Sequence, residues 1–166
     1  MTMPAYPLLE VLDVKKRRVE QQEKVVEERK AAVEEEERKL KEREKERDQV
    51  LNHRNDKLAQ LREEMDSETS TDKIEGMKIY LDEVKEKLKA EEKKVKEQKE
   101  QVKAAEEELE RAKEELVRRR LEVDKLKTHR KDWEKEMRKE LEAAAAREED
   151  EIGTIIFSKQ QRIKGE

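Results

Sequence analysis

The chain has 166 residues, of which 53% are charged, 32% hydrophobic and 2% aromatic. An ordinary domain of that length is about 25% charged and about 45–50% apolar, so a layered sheet fold or a broad apolar pocket is excluded. A net charge of −4 and the absence of cysteine argue against general nucleic-acid binding, a disulfide framework, a cysteine zinc site and a thiol nucleophile. No apolar run approaches the roughly 18 residues of a membrane span. The opening MTMPAYPLLEVLDVKKRR has its charges after its apolar residues, the reverse of a secretory signal. These features fit a soluble cytoplasmic protein.

The first half reads as one long helix. Leu12, Val19, Val26, Val33, Leu40, Arg47, Arg54 and Leu61 recur every seven residues, and six of the eight are apolar. Leu51, Leu58 and Met65 belong to a companion series. Leu58 to Leu61 is three steps and Leu61 to Met65 is four, which makes this a heptad pattern. Residues 66–73, DSETSTDK, form the Ser/Thr-rich stretch where a turn belongs. Asp72 followed by Glu75 has the spacing of an N-cap with a capping box. Gly76 falls in the first turn of the next helix and costs it about 1 kcal/mol against Ala.

The second half carries the stronger signal. Leu81, Leu88, Val95, Val102, Leu109, Leu116, Val123, Arg130, Met137 and Ala144 are seven apart, and nine of the ten are apolar. A second series contains Met77, Val84, Ala105, Ala112, Leu126 and Trp133. The fold class this predicts is all-α: two long helices forming an antiparallel coiled-coil hairpin, with an overhanging C-terminal helix and a short tail. A turn centred near Thr71 sets Leu61 against Leu81, Leu40 against Val102, Val33 against Leu109 and Val19 against Val123. It also sets Trp133 against Leu9 and Leu12. The expected divisions are a lead at 1–7, a first arm at 8–66, a tip turn at 67–72, a second arm at 73–150, and a flexible tail at 151–166 beginning where Gly153 breaks the helix. Such a rod, a monomer by expectation, is about 80–100 Å long at 1.5 Å per residue. Its middle is weak, because Glu44, Arg47, Arg54, Glu91 and Gln98 take seam positions, with Glu44 in a layer with Gln98.

Three groups are candidates for partner binding, and among them Val14, Ile79, Tyr80, Val117 and Leu121 fall outside the seam. At the tip these are Lys78, Ile79 and Tyr80. At the open end they are Val14, Lys15, Lys16, Arg17 and Arg18 on the first arm, facing Val117, Arg118, Arg119, Arg120 and Leu121 on the second. Val11 and Val25 are also off the seam. Residues 11–19 hold four basic residues and one acid, and residues 117–131 hold seven and two. This basic base suits an acidic or polar partner. The tail contributes Ile155, Ile156 and Phe157. His53 and His129 are isolated surface residues by spacing. No set of ligands, no phosphate loop and no pocket for a pair of carboxylates can be read, so no catalytic residue, metal, cofactor or small-molecule substrate is expected.

Tyr6-Pro7-Leu8, Val11-Leu12, Lys15, Arg18-Val19 and Glu23-Lys24-Val25 resemble the start of the YscO family of type III secretion proteins. Met77-Lys78 and Tyr80 after the turn, and Arg118–Arg120, are similar to that family too, most of all to its chlamydial members. The resemblance implies an α-hairpin related to the flagellar export protein FliJ. It implies a cytoplasmic stalk at the cytoplasmic face of a membrane secretion apparatus, with a role in bacterial virulence. Its implied partners are the export ATPase, the cytoplasmic domain of the export gate, and the secretion chaperones it escorts. A rival reading is a coiled-coil scaffold or nucleic-acid-associated protein that uses the basic base, although no nucleic acid is expected as a partner. An inert spacer is a third.

Overall fold

Tyr6 and Pro7 set the first helix. The Leu9 amide donates to the Tyr6 carbonyl at 3.2 Å and the Leu12 amide to the Leu8 carbonyl at 2.9 Å. Helix α1 then runs Leu9–Asp66 and α2 runs Thr71–Lys164. This computed structural model describes residues 2–67 and 69–165. Met1 of the expected lead, Glu68 of the expected turn and Glu166 of the expected tail lie outside the described residues. The class is all-α, as the heptads predict, and the two helices form an antiparallel hairpin.

The turn differs in its cap. The Lys73 amide donates to Ser70 Oγ at 3.4 Å and the Ile74 amide to the Ser70 carbonyl at 3.2 Å. Ser70 is therefore the N-cap, and Asp72 lies in the first turn, where its charge favours the helix N-terminus. At the end of α1, Ser67 Oγ donates to the Glu64 carbonyl at 3.1 Å. No described residue has a positive φ.

Contacts divide the chain into two units, residues 1–22 with 116–166 and residues 23–115. In the first, Tyr6, Leu12, Leu116 and Val123 are buried, and Gln22 is a buried polar residue of the same unit. In the second, Val26, Val33, Leu61, Leu81, Val84, Leu88, Val95 and Ala112 are buried. These are the heptad positions read from the sequence. Lys15, Glu36 and Arg43 are half-buried, so one column of the first arm's seam is largely polar along this stretch.

The register differs from the expected one. Gln98, expected in a layer with Glu44, instead donates through Nε2 to the Glu36 carbonyl at 3.0 Å. Trp133, expected against Leu9 and Leu12, meets the ring of Tyr6 edge-on, with centroids 5.5 Å apart. In residues 23–115 the pairing has moved by about one heptad, whereas Trp133 meets Tyr6 only three residues before Leu9. The physical reason is the cap: α2 begins at Thr71, so the turn is centred earlier than Thr71. Heptad phase alone does not distinguish registers seven residues apart.

Three further expectations are corrected. Met65 is 55% exposed, while Glu64 is half-buried because it accepts from Thr69 Oγ1 at 2.7 Å and pairs with Lys73 at 3.3 Å. Val25 is half-buried rather than outside the seam. Gly153 does not end α2, which continues to Lys164. The 151–166 segment is thus helical over most of its length. Gly76 and Gly153 both lie inside α2, and a Cβ added at either would meet nothing within 4 Å.

Candidate partner-binding surfaces

In the unit of residues 23–115, the first turns of α2 carry Lys78, Ile79 and Tyr80. Lys78 is exposed, as are Ile79 and Tyr80 at 63% and 44%. Ile79 is off the seam as expected. Tyr80 has a structural task as well. Its hydroxyl and His53 Nε2 are 2.9 Å apart, and the two rings meet edge-on at 5.9 Å and 89°. Lys57 Nζ is 5.6 Å from the centre of the Tyr80 ring. His53 is therefore not isolated. Lys57, Gln60, Lys73, Gly76, Met77 and Tyr80 line a shallow groove there. Two lysines and an aromatic face suit an acidic or aromatic side chain of a partner. The hydrogen bond from Thr69, and then the charge and hydrogen bond of Lys73, hold the Glu64 carboxyl below its usual range.

In the unit of residues 1–22 and 116–166, Val14, Val117 and Leu121 are 44%, 56% and 54% exposed. Val117 and Leu121 are four apart and share one helix face. Their basic neighbours are not all turned to solvent. Lys15 Nζ donates to Glu122 Oε2 at 2.8 Å and is half-buried. That bond is the largest cause of the depressed Glu122 carboxyl, with smaller contributions from Arg18 and Arg118. Arg119 Nη1 donates to the Arg18 carbonyl at 3.1 Å. Lys15 and Arg119 thus fasten α1 to α2. Lys16, Arg120 and Lys127, with Val19, Val123 and the acidic Glu20 and Asp124, line an open groove. Arg17, Arg18 and Arg118 are exposed.

Sequence reasoning missed a cluster in this unit. Tyr6 is only 5% exposed, its hydroxyl hydrogen-bonds His129 Nδ1, and its ring contacts both His129 and Trp133. His129 is therefore engaged, not isolated. The signal available was an aromatic residue between Pro4 and Pro7 in a chain with few aromatics. In the last turns of α2, Ile155, Ile156 and Phe157 are all more than half exposed.

No group of three or more His, Asp or Glu among the described residues could hold a metal ion. No helix among them is long and apolar enough to cross a membrane.

No curated protein matches this sequence. The chain is similar to a solved structure from Chlamydia trachomatis, CT670, described as a YscO homolog. The identity is 46%, the TM-score is 0.92, and the match covers 96% of this chain and 99% of that one. The YscO-like protein family matches residues 3–163. The heptad hairpin, the likeness in three dimensions and the match along nearly the whole sequence agree, and the chain belongs to the YscO-like family of type III secretion proteins.

Proposed function

We propose that this protein works by binding rather than catalysis, as a stalk and adaptor between parts of a type III export apparatus. The observation that carries this reading is the placement of large apolar side chains off the seam in each of the two units. Ile79 lies in one unit, and Val117 and Leu121 in the other. A spacer has no need of such residues, whereas a connector needs a contact surface at each body it joins. In this reading, Lys78, Ile79 and the exposed face of Tyr80 engage the cytoplasmic domain of the export gate or a secretion chaperone. The basic face around Val14, Lys16, Arg17, Arg18, Val117, Arg118, Arg120 and Leu121 docks on the export ATPase. The site of action is the cytoplasmic face of the membrane apparatus.

The test is a quantitative pulldown with an export ATPase, a gate cytoplasmic domain and secretion chaperones. Ile79→Ala with Lys78→Glu is the tip variant, because Tyr80 also holds α1. It weakens gate or chaperone binding by about 2 kcal/mol if Ile79 is a hot spot, and leaves ATPase binding intact. Reversing Arg118 and Arg120 to Glu does the opposite. Wild-type binding by both variants overturns the two-surface reading. Steeply salt-dependent binding to DNA or RNA by the unmodified chain favours the rival nucleic-acid reading.

A further inference from the structure

Every described residue of α2 after Ala144 is exposed, yet a seam-like pattern continues through it. Glu148, Ile152, Ile155, Lys159 and Ile163 follow one another at steps of four, three, four and four. With Ile156 they occupy an arc of about 100° on the helix. The four isoleucines are 57%, 57%, 52% and 76% exposed in chain order. Phe157 lies off this arc. An apolar stripe of this kind on a long, otherwise charged helix is a face that lacks its cover.

The two charged residues within the stripe indicate what covers it. Glu148 and Lys159 have opposite sign and lie equally far along the chain from the midpoint between Ile152 and Ile155. A second copy of the helix, laid antiparallel about that midpoint, sets Ile152 against Ile155 of the other copy and Ile155 against its Ile152. The same operation sets Glu148 against Lys159 at both ends. The flanks agree: residues 147–151 hold four acids and one arginine, and residues 159–164 hold three basic residues and no acid. A parallel pair would place Glu148 on Glu148 and Lys159 on Lys159, which like-charge repulsion opposes.

We propose that the C-terminal turns of α2, residues 145–164, pair with the same segment of a second copy of this chain in an antiparallel, self-complementary seam. The contact is isologous, so it closes at two copies. It is short, so the dimer is weak and depends on concentration. The hairpin seam stays within each chain. The proposal is independent of the partner assignments above.

The test is sedimentation equilibrium of the full chain over a range of concentrations at low salt. The variants are Glu148→Lys, Lys159→Glu and the double reversal, each checked for helix content by circular dichroism. The expected result is a reversible dimer. Each single reversal places like charges at both ends and weakens it by roughly fivefold or more, and the double reversal restores it. The chain has no cysteine, so a second measurement is clean. An Ile152→Cys chain mixed with an Ile155→Cys chain forms a mixed disulfide faster than either forms its own. A chain that stays monomeric throughout overturns the proposal, as does a dimer indifferent to the single reversals or not rescued by the double. Monomers that sediment with anionic vesicles also overturn it and assign the isoleucine face to a membrane surface.

Discussion

Gln98 donates its side-chain amide to the backbone carbonyl of Glu36 at 3.0 Å, and also bonds the Glu36 carboxylate. A backbone carbonyl inside a helix already accepts from the amide four residues on, so Gln98 uses its second lone pair. A contact to the backbone is tied to one position along the helix, whereas two apolar residues a heptad apart are interchangeable. This bond therefore identifies the register of α2 on α1 within residues 23–115.

The register predicts a crosslink. Leu40 is one turn beyond Glu36, and Val95 is about one turn before Gln98. The variant Leu40→Cys/Val95→Cys forms an intramolecular disulfide on mild oxidation of dilute protein. The pair Leu40→Cys/Val102→Cys, which suits a turn centred near Thr71, forms it much more slowly. Non-reducing electrophoresis and peptide mapping read the outcome, and equal yields would refute the register.

Two buried atoms mark the weakest layers. Arg54 Nε and Glu91 Oε2 are buried without a hydrogen-bond partner. An unsatisfied buried polar group costs about 1–3 kcal/mol. Glu91→Leu removes the orphan oxygen and adds apolar seam area, so it raises the urea midpoint by about 1 kcal/mol or more in unfolding free energy. In the unmodified chain, amide exchange is fastest, among paired segments, around residues 44–54 and the residues that face them in this register, 81–91. A destabilised Glu91→Leu variant, or uniform protection, would count against this account.

Tyr80→Phe and Tyr80→Ala separate two roles. The Phe variant loses only the bond to His53, at about 0.5–1.5 kcal/mol. The Ala variant also loses the edge-on contact and the Lys57 neighbour. Ile79→Ala touches nothing in the seam and leaves the melting temperature within about 1 °C, since exposed substitutions fall within about 0.5 kcal/mol. Thermal melts of the three variants check the order Ile79→Ala, Tyr80→Phe, Tyr80→Ala.

Acid weakens the hairpin through named carboxylates. The Glu36 carboxyl is held low first by Gln98 and then by Lys39, that of Glu122 by Lys15, and that of Glu64 by Thr69 and Lys73. A depressed carboxyl contributes stability above its ordinary value and loses it as pH falls through the folded value. The melting temperature therefore declines as pH drops below about 4.5, the ordinary value for these groups. Glu122→Gln flattens the part due to Lys15. A melting temperature that holds steady from pH 6 to pH 3 would contradict the assignment.

Much of this was legible from the residues. The spacing of Leu81, Leu88 and Val95 announced a helix and its buried face, because a seven-residue apolar repeat has few other uses. The same pattern left Ile79, Val117 and Leu121 outside the seam, and they are exposed. Register was not legible, since Val33 fits Leu109 or Val102 equally well and only Ser70 and Gln98 choose between them. Polar seam positions were hidden for a related reason. Lys15, Gln22 and Glu36 look like solvated residues until the packing brings a partner such as Glu122 or Gln98 to them. The pairings Tyr6–His129 and His53–Tyr80 join residues far apart in sequence, and no local spacing encodes them.

The two glycines inside α2 give this helix compliance. At Gly76 and Gly153 nothing crowds the position of a Cβ, and neither carries a backbone angle that only glycine tolerates. Each weakens its turn by about 1 kcal/mol relative to alanine. Gly76 is three residues from Ile79, and Gly153 is two from Ile155. Each soft point thus lies beside an exposed apolar side chain.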